Sequence, residues 1–257
     1  MNFLAIIPSR YGSTRFPGKS LALLGGKPIV ERVYERVARV FEHVCVATDD
    51  DRIMSAVAGF GGVAVLTSQS HRSGTDRCRE ALAKMEAQTG LKFDVVVNVQ
   101  GDEPFIAQSQ LESIRGAFAN EQTQIATLVK PFAPDTPFDA LANPNSPKVV
   151  VDGEGRALYF SRSVIPYLRD VEPAAWASRH RFLKHIGLYA YRADVLAQIT
   201  ALPAGELEQC ESLEQLRWLQ AGFTIQTIES EEETIGIDTP ADLERAEKFL
   251  AKLESEN

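Results

Sequence analysis

Along most of the chain, short apolar runs alternate with segments whose apolar residues recur every three or four positions. Phe3–Ile7 is an apolar run that stops at Pro8, and it predicts a buried strand. From Pro28 onward, Ile29, Val30, Val33, Val37 and Val40 share one helical face, with Pro28 suited to the first helical position. Val44–Ala47 and Val63–Leu66 repeat the strand pattern, and Cys78–Met85 the helical one, with Leu82 and Met85 on one side. Val95–Val99 is almost wholly β-branched, as expected of a central parallel strand covered on both faces. Helical spacing returns at Leu111–Phe118 and Leu213–Leu219. A last helix is predicted from Thr239, with Thr239 as N-cap, Pro240 at the first position and Asp242 in the first turn. Strands alternating with helices predict an α/β fold built on a doubly wound, mostly parallel sheet.

The rhythm breaks between about 125 and 195. Pro131, Pro134, Pro137, Pro144 and Pro147 cluster there, followed by strand-like Val149–Val151, Leu158–Phe160 and Ile186–Tyr191. This stretch predicts a smaller antiparallel subdomain within one α/β domain spanning 1–257, suited to a second substrate pocket or a dimer contact.

Composition narrows the class. The chain has 257 residues, 44% apolar and 24% charged, an ordinary globular balance long enough for a core without disulfide or metal staples. Cys45, Cys78 and Cys210 form no C-x-x-C pair, so reduced thiols are expected. The N-terminal apolar run is shorter than a signal h-region, and no stretch approaches the roughly 20 apolar residues of a membrane span. A soluble, cytoplasmic protein with no membrane partner is expected. The net charge of −8 argues against nucleic acid as a partner. That charge is unevenly spread: residues 1–30 contain Arg10, Arg15, Lys19 and Lys27 and no acid.

In open α/β sheets ligands bind beyond the carboxyl ends of strands. Three loops with reactive residues follow predicted strands: Pro8–Lys19, Thr48–Asp51 and Gln100–Pro104. The first combines Gly12 and Gly18 with Arg10, Arg15 and Lys19, the makings of a backbone nest with fixed positive charge for a polyphosphate. It is not a Walker A loop, since Pro17 stands where the second glycine belongs, and no G-x-G-x-x-G follows a strand. A carboxylate such as Asp102 facing a polyphosphate calls for an intervening Mg²⁺, although Gly-Asp is equally common turn chemistry. Asp238 precedes the cap of the last helix and is not explained by capping; a cleft role and a structural one stand level there.

The chain resembles the 3-deoxy-manno-octulosonate (KDO) cytidylyltransferases, also called CMP-KDO synthetases, nearly end to end. The resemblance rests on Arg10-Tyr11-Gly12-Ser13-Thr14-Arg15-Phe16-Pro17-Gly18-Lys19, Ala47-Thr48-Asp49, His71-Arg72-Ser73-Gly74-Thr75-Asp76-Arg77 and Asn98-Val99-Gln100-Gly101-Asp102-Glu103-Pro104. It continues through Ala157–Arg162, His185–Arg192, Leu213–Arg217 and Asp238-Thr239-Pro240. Pro147 departs from it, standing where Val is common. The resemblance implies a Rossmann-like nucleotidyltransferase fold, a homodimer, and transfer of CMP from CTP to KDO with release of pyrophosphate, activating KDO for lipopolysaccharide biosynthesis. A cytidylyltransferase for another sugar acid, such as a sialic acid, is the nearest rival. Carried over, Arg10, Ser13, Arg15, Lys19, Ser73, Gly74, Arg77 and Gln100 would bind the nucleotide. Gln100, Arg162, His185, Tyr189, Glu214 and Gln215 would bind the sugar. Asp102 and Asp238 would hold Mg²⁺, and with Lys19 they form the catalytic set.

Overall fold

The computed structural model describes residues 1–13, 15–232 and 235–255. It divides into two compact units, Met1–Glu112 with Thr234–Asn257, and Ser113–Glu233, the division falling inside helix Gln108–Gly116.

The first unit is a parallel sheet wrapped by helices. Its elements in chain order are β1 (Phe3–Pro8), a small hairpin of β2 (Leu23–Leu24) and β3 (Lys27–Pro28), α1 (Ile29–Val37), β4 (His43–Thr48), α2 (Asp51–Gly59), β5 (Ala64–Leu66), α3 (Gly74–Thr89) and β6 (Val95–Asn98). Helix Pro240–Ser255 returns to this unit. The sheet order is β6-β1-β4-β5, all pairs parallel, with Ile6 opposite Cys45 on one side and Asn98 on the other. The chain runs outward from β1 through β4 to β5, then crosses back to β6 on the far side of β1. Loops after β1 and β6 therefore diverge and leave a crevice at the carboxyl ends of these strands. Leu4–Ile7 and Val95–Val97 are wholly inaccessible, as β-branched and leucine runs covered on both faces must be.

Local signals set most boundaries. α1 buries Ile29, Val30, Val33 and Val37 but stops before Val40. Pro28 is its N-cap rather than its first residue, because it still pairs in the β2–β3 hairpin. α3 starts four residues before the predicted Cys78: Ser73 Oγ accepts the Asp76 N–H at 3.1 Å, a cap worth ~1 kcal/mol. The last helix opens as expected. Thr239 Oγ1 accepts the Asp242 N–H at 3.2 Å, while the Asp242 carboxylate accepts the Thr239 N–H at 2.8 Å and the Asp238 N–H at 3.1 Å.

The second unit carries the antiparallel strands expected of the 125–195 stretch and extends beyond it on both sides. β7 (Ile125–Pro131) pairs parallel with β11 (Ile225–Glu229) and antiparallel with β10 (Leu183–Arg192); β10 pairs with β8 (Lys148–Val151), and β8 with β9 (Ala157–Ser161). The β10 register shifts between Ile186 and Tyr189, and the buried Thr127 hydroxyl fills the gap, 2.9 Å from the Leu188 carbonyl and 3.1 Å from His185 Nε2. A second small core gathers Leu141, Trp176 and Phe182. The sequence pattern missed the short helices Phe138–Leu141, Trp176–Arg179, Ala193–Ile199 and Glu206–Glu211, each too short to show a period.

Five rings fill one side of this sheet. His185 lies between Phe160 and Tyr189, at centroid distances of 5.1 and 5.3 Å, and Tyr189 and Tyr191 both meet the edge of Trp218. Burial in this stack pushes the His185 imidazole from its ordinary 6.5 to about 4, so it is neutral at physiological pH. The unfolded chain then takes up a proton between these values that the folded chain refuses, and folding stability rises with pH across that window. His185→Gln should flatten this rise. Urea unfolding of both proteins at pH 4.5 and 7.0 checks it, and an equally steep pH dependence in the variant would refute it.

Candidate active site

At the crevice between β1 and β6 lies a cavity of about 290 Å³, formed entirely within the first unit. Three devices build its walls. The first is the loop after β1. Its turn is closed by the Tyr11 carbonyl, which accepts N–H groups from Ser13 and Gly18 at 2.9 Å each. Gly18 sits at φ 71°, a left-handed conformation that glycine adopts without strain, and a Cβ there would meet the Tyr11 ring at 3.0 Å. The Arg52 guanidinium lies over that ring, 3.3 Å from its centroid. Arg10, Lys19 and the buried Ser20 from this loop line the cavity.

The second device is the N-terminus of α3, sixteen residues long, whose Ser73 and Gly74 line the cavity. The positive end of the helix dipole favours an anion here. The preceding His71 also lines the wall, and its Nε2 is held by the Glu80 carboxylate, which also accepts the Ser68 N–H at 3.0 Å.

The third device brings two carboxylates together. Gly101-Asp102 turns off the end of β6, so close to β1 that a Cβ on Gly101 would stand 2.5 Å from Ser9 Oγ and 2.8 Å from the Pro8 carbonyl. The Asp102 carbonyl accepts the Ile237 N–H at 2.9 Å, which docks the Asp238 loop beside it. Lys19 Nζ bonds to both side chains, to Asp102 Oδ2 and to Asp238 Oδ1, the latter at 3.0 Å. Arg15, largely exposed, meets Asp238 Oδ2 at 2.9 Å. Burial alone would lower the Lys19 pKa, but the charges and hydrogen bonds of Asp102 and Asp238 outweigh it and hold the ammonium above its ordinary range.

Of the residues read as nucleotide-binding, Arg10, Lys19, Ser73, Gly74, Arg77 and Gln100 line the cavity, with Asp102 and Asp238. Ser13 and Arg15 do not line it; Arg15 reaches its edge only through Asp238. Arg77 is buried, with its guanidinium bound to Asp49 at 2.8 Å and Thr67 Oγ1 at 2.5 Å, so it braces the wall more than it presents charge. Two residues carry no signal in the sequence pattern: Ser9, whose buried hydroxyl is without a hydrogen-bond partner among the described residues, and Glu80, which holds His71. Asp49 was visible in the loop after β4 but not as a partner of Arg77.

The residues read as sugar-binding, apart from Gln100, lie in the second unit. His185 and Tyr189 pack ring against ring at a tilt of 51°, and Gln215 is buried with its Nε2 unpartnered among the described residues. Glu214 pairs with Arg217 at 2.8 Å. Arg162, read with them, donates from Nε, Nη1 and Nη2 to the carbonyls of Glu211 (2.6 Å), Pro144 (2.9 Å) and Ser212 (3.1 Å), which makes it a backbone clamp.

Among the described residues no helix is long and apolar enough to cross a membrane. A family profile described as cytidylyltransferase matches residues 4–250. The chain is 60% identical over 256 residues to a 3-deoxy-manno-octulosonate cytidylyltransferase of Phocaeicola vulgatus, covering the whole of both chains. It is 58% identical to one of Bacteroides thetaiotaomicron, covering 97% of this chain and 98% of that one. A solved CMP:2-keto-3-deoxy-manno-octonic acid synthetase complexed with CTP superposes with a TM-score of 0.88 at 42% identity, covering 98% and 99% of the two chains. A basic loop and a helix N-terminus facing paired aspartates, in a chain matched over its full length, thus belong to a member of the 3-deoxy-manno-octulosonate cytidylyltransferase family.

Proposed function

We propose that this enzyme transfers CMP from CTP to KDO, releasing pyrophosphate, and that the activated sugar serves lipopolysaccharide synthesis in the cytoplasm, with the chain acting as a homodimer. The observation that carries the reaction is Lys19 spanning Asp102 and Asp238 beside the N-terminus of α3. A triphosphate brings negative charge to a cavity whose cations Arg10 and Arg72 have no carboxylate partner among the described residues. The relatives supply the choice of nucleotide and sugar.

The donor set fits Mg²⁺. Two carboxylates from separate loops converge on one cationic centre, and no cluster of three or more His, Cys, Asp or Glu among the described residues could hold a metal alone. That is the pattern for a hard cation completed by phosphate oxygens. Bound by Asp102 and Asp238, Mg²⁺ would supply neutralisation of phosphate charge and a lower pKa for the attacking hydroxyl.

The protein's own groups do the rest. Arg10 and the α3 N-terminus hold the phosphates and set the α-phosphorus in line with the anomeric hydroxyl. Lys19 exchanges its carboxylate partners for the leaving pyrophosphate. The P–O bond to pyrophosphate breaks as the sugar oxygen bonds to phosphorus, and no covalent enzyme intermediate is required.

Pyrophosphate release measured with four nucleotides, KDO and a sialic acid, with and without Mg²⁺, tests this reading. Release with CTP and KDO is expected; release only with another sugar acid would move the chain to the rival activity, and none with any pair would refute catalysis. Asp102→Asn should lower turnover by roughly 100-fold or more with an unchanged circular dichroism spectrum, removing one charge from a preorganised site. Near-normal turnover would overturn the metal role. Gly101→Ala should fall between the two, because the added Cβ meets a backbone carbonyl that cannot swing away and so displaces Asp102. Turnover equal to wild type would show that Asp102 does not depend on this close approach.

A further inference from the structure

A second, buried charge cluster lies in the second unit, and the reaction as described makes no use of it. Lys148 on β8 is wholly inaccessible to solvent. Its ammonium has no direct carboxylate partner; it donates to the Asn143 carbonyl at 3.1 Å and the Arg162 carbonyl at 2.7 Å. Arg162 in turn donates to the Pro144, Glu211 and Ser212 carbonyls. The Glu211 carboxylate closes the knot, accepting the Ser161 hydroxyl at 2.6 Å and the Arg162 N–H at 2.9 Å. Two cations and one carboxylate thereby tie together three chain segments, 143–144, 161–162 and 211–212.

A buried ammonium with no ion pair is costly, since desolvation disfavours its charge. Burial, with Arg162 adding to it and Glu211 opposing, moves the Lys148 pKa below the ordinary lysine range. Stability alone gives no reason to keep it where an apolar side chain would fill the same space. Its geometry suggests one. Ser212, at φ 50°, is the left-handed C-cap of helix Glu206–Glu211, its N–H donating to the Glu208 carbonyl, and its own carbonyl is free to accept from a side chain. The Arg162 guanidinium holds it from one side, and Lys148 holds the Arg162 backbone from the other. Ser212 stands two residues before Glu214, the N-cap of helix Gln215–Gln220, and three before Gln215, its first residue. The knot therefore sets where those two side chains stand. Glu211 balances only one of the two cations, so the cluster retains a positive excess that suits an acidic acceptor.

We propose that Lys148 is a positioning residue for the acceptor sugar acid, acting through Arg162 and the Ser212 turn on Glu214 and Gln215. This rests on the function proposed above. The nucleotide cavity lies wholly in the other unit, so the effect should fall on the sugar and spare CTP.

The test is steady-state pyrophosphate release by the full chain, varying the sugar acid and CTP in turn. Lys148→Met keeps the length and removes the charge and both hydrogen bonds. It should raise KM for the sugar acid roughly tenfold or more and leave KM for CTP within about twofold. A structural role alone would lower the amount of active enzyme and the melting temperature while leaving both KM values in place, and that result overturns the proposal. Should Lys148→Met not fold, Glu211→Gln, which keeps shape and removes charge, carries the test: the same selective rise supports the proposal and an unchanged sugar KM overturns it. An inactive wild type refutes the functional reading and this one with it. An active wild type whose variants keep its sugar KM refutes this one alone.

Discussion

The active site depends on one ammonium group. Lys19 bonds to carboxylates 83 and 219 residues further along the chain, and without it Asp102 and Asp238 would face each other across a shared space with only Arg15 to separate their charges. Two like charges gathered at one ammonium repel, and the partial exposure of Asp238 screens only part of that repulsion. Their approach is nevertheless fixed by the backbone: the Ile237 N–H on the Asp102 carbonyl, the Thr239–Asp242 cap behind Asp238, and the tight passage of Gly101 over Pro8. Main-chain bonds thus place the carboxylates, and Lys19 neutralises them. Under the proposed function the same ammonium is offered a stronger anion when a nucleotide arrives, and the carboxylates become available to the cation that accompanies it.

In the parallel unit β1, β4, β5, β6 and α1 were legible from the chain as apolar runs or a helical period, while α2 and the β2–β3 hairpin were not. β1, β4 and β6 are continuous apolar runs, and the buried face of α1 matches the predicted positions through Val37. What escaped were features decided by partners distant in sequence. The shift within β10 depends on the Thr127 hydroxyl, and a four-residue helix such as Trp176–Arg179 exists because Trp176 is needed in a small core with Leu141 and Phe182. No window of β10 or of 176–179 contains that information.

The candidate site divides along the same line. Arg10, Lys19 and Asp102 could be grouped from the chain because each lies in a loop after an apolar strand run, although Gly-Asp by itself reads equally well as a turn. The roles of Arg77 and Arg162 could not, because an arginine side chain reads the same whether it meets a ligand or a carbonyl. Here Arg77 is bound to Asp49 and Thr67, and Arg162 spends three donors on backbone. In both cases the guanidinium stiffens a wall instead of offering an open fork, and residues of this kind respond to substitution through the geometry of their neighbours.

The net charge of −8 therefore says little about what the cavity binds. Of the four cations in the first thirty residues, Lys27 pairs with Glu31 and Glu35 on the outer face of α1 and has no part in the site. Arg15 and Lys19 are paired with the two aspartates, which leaves Arg10 unpaired among the described residues. Arg72 joins it from the α3 side, and Arg77 is matched by Asp49. The cavity's unmet charge is thus positive and comes from two side chains on two different loops, with a helix dipole between them. A ligand that satisfies all three must carry negative charge along its length, as a polyphosphate does, and a single small anion would leave part of that field unanswered.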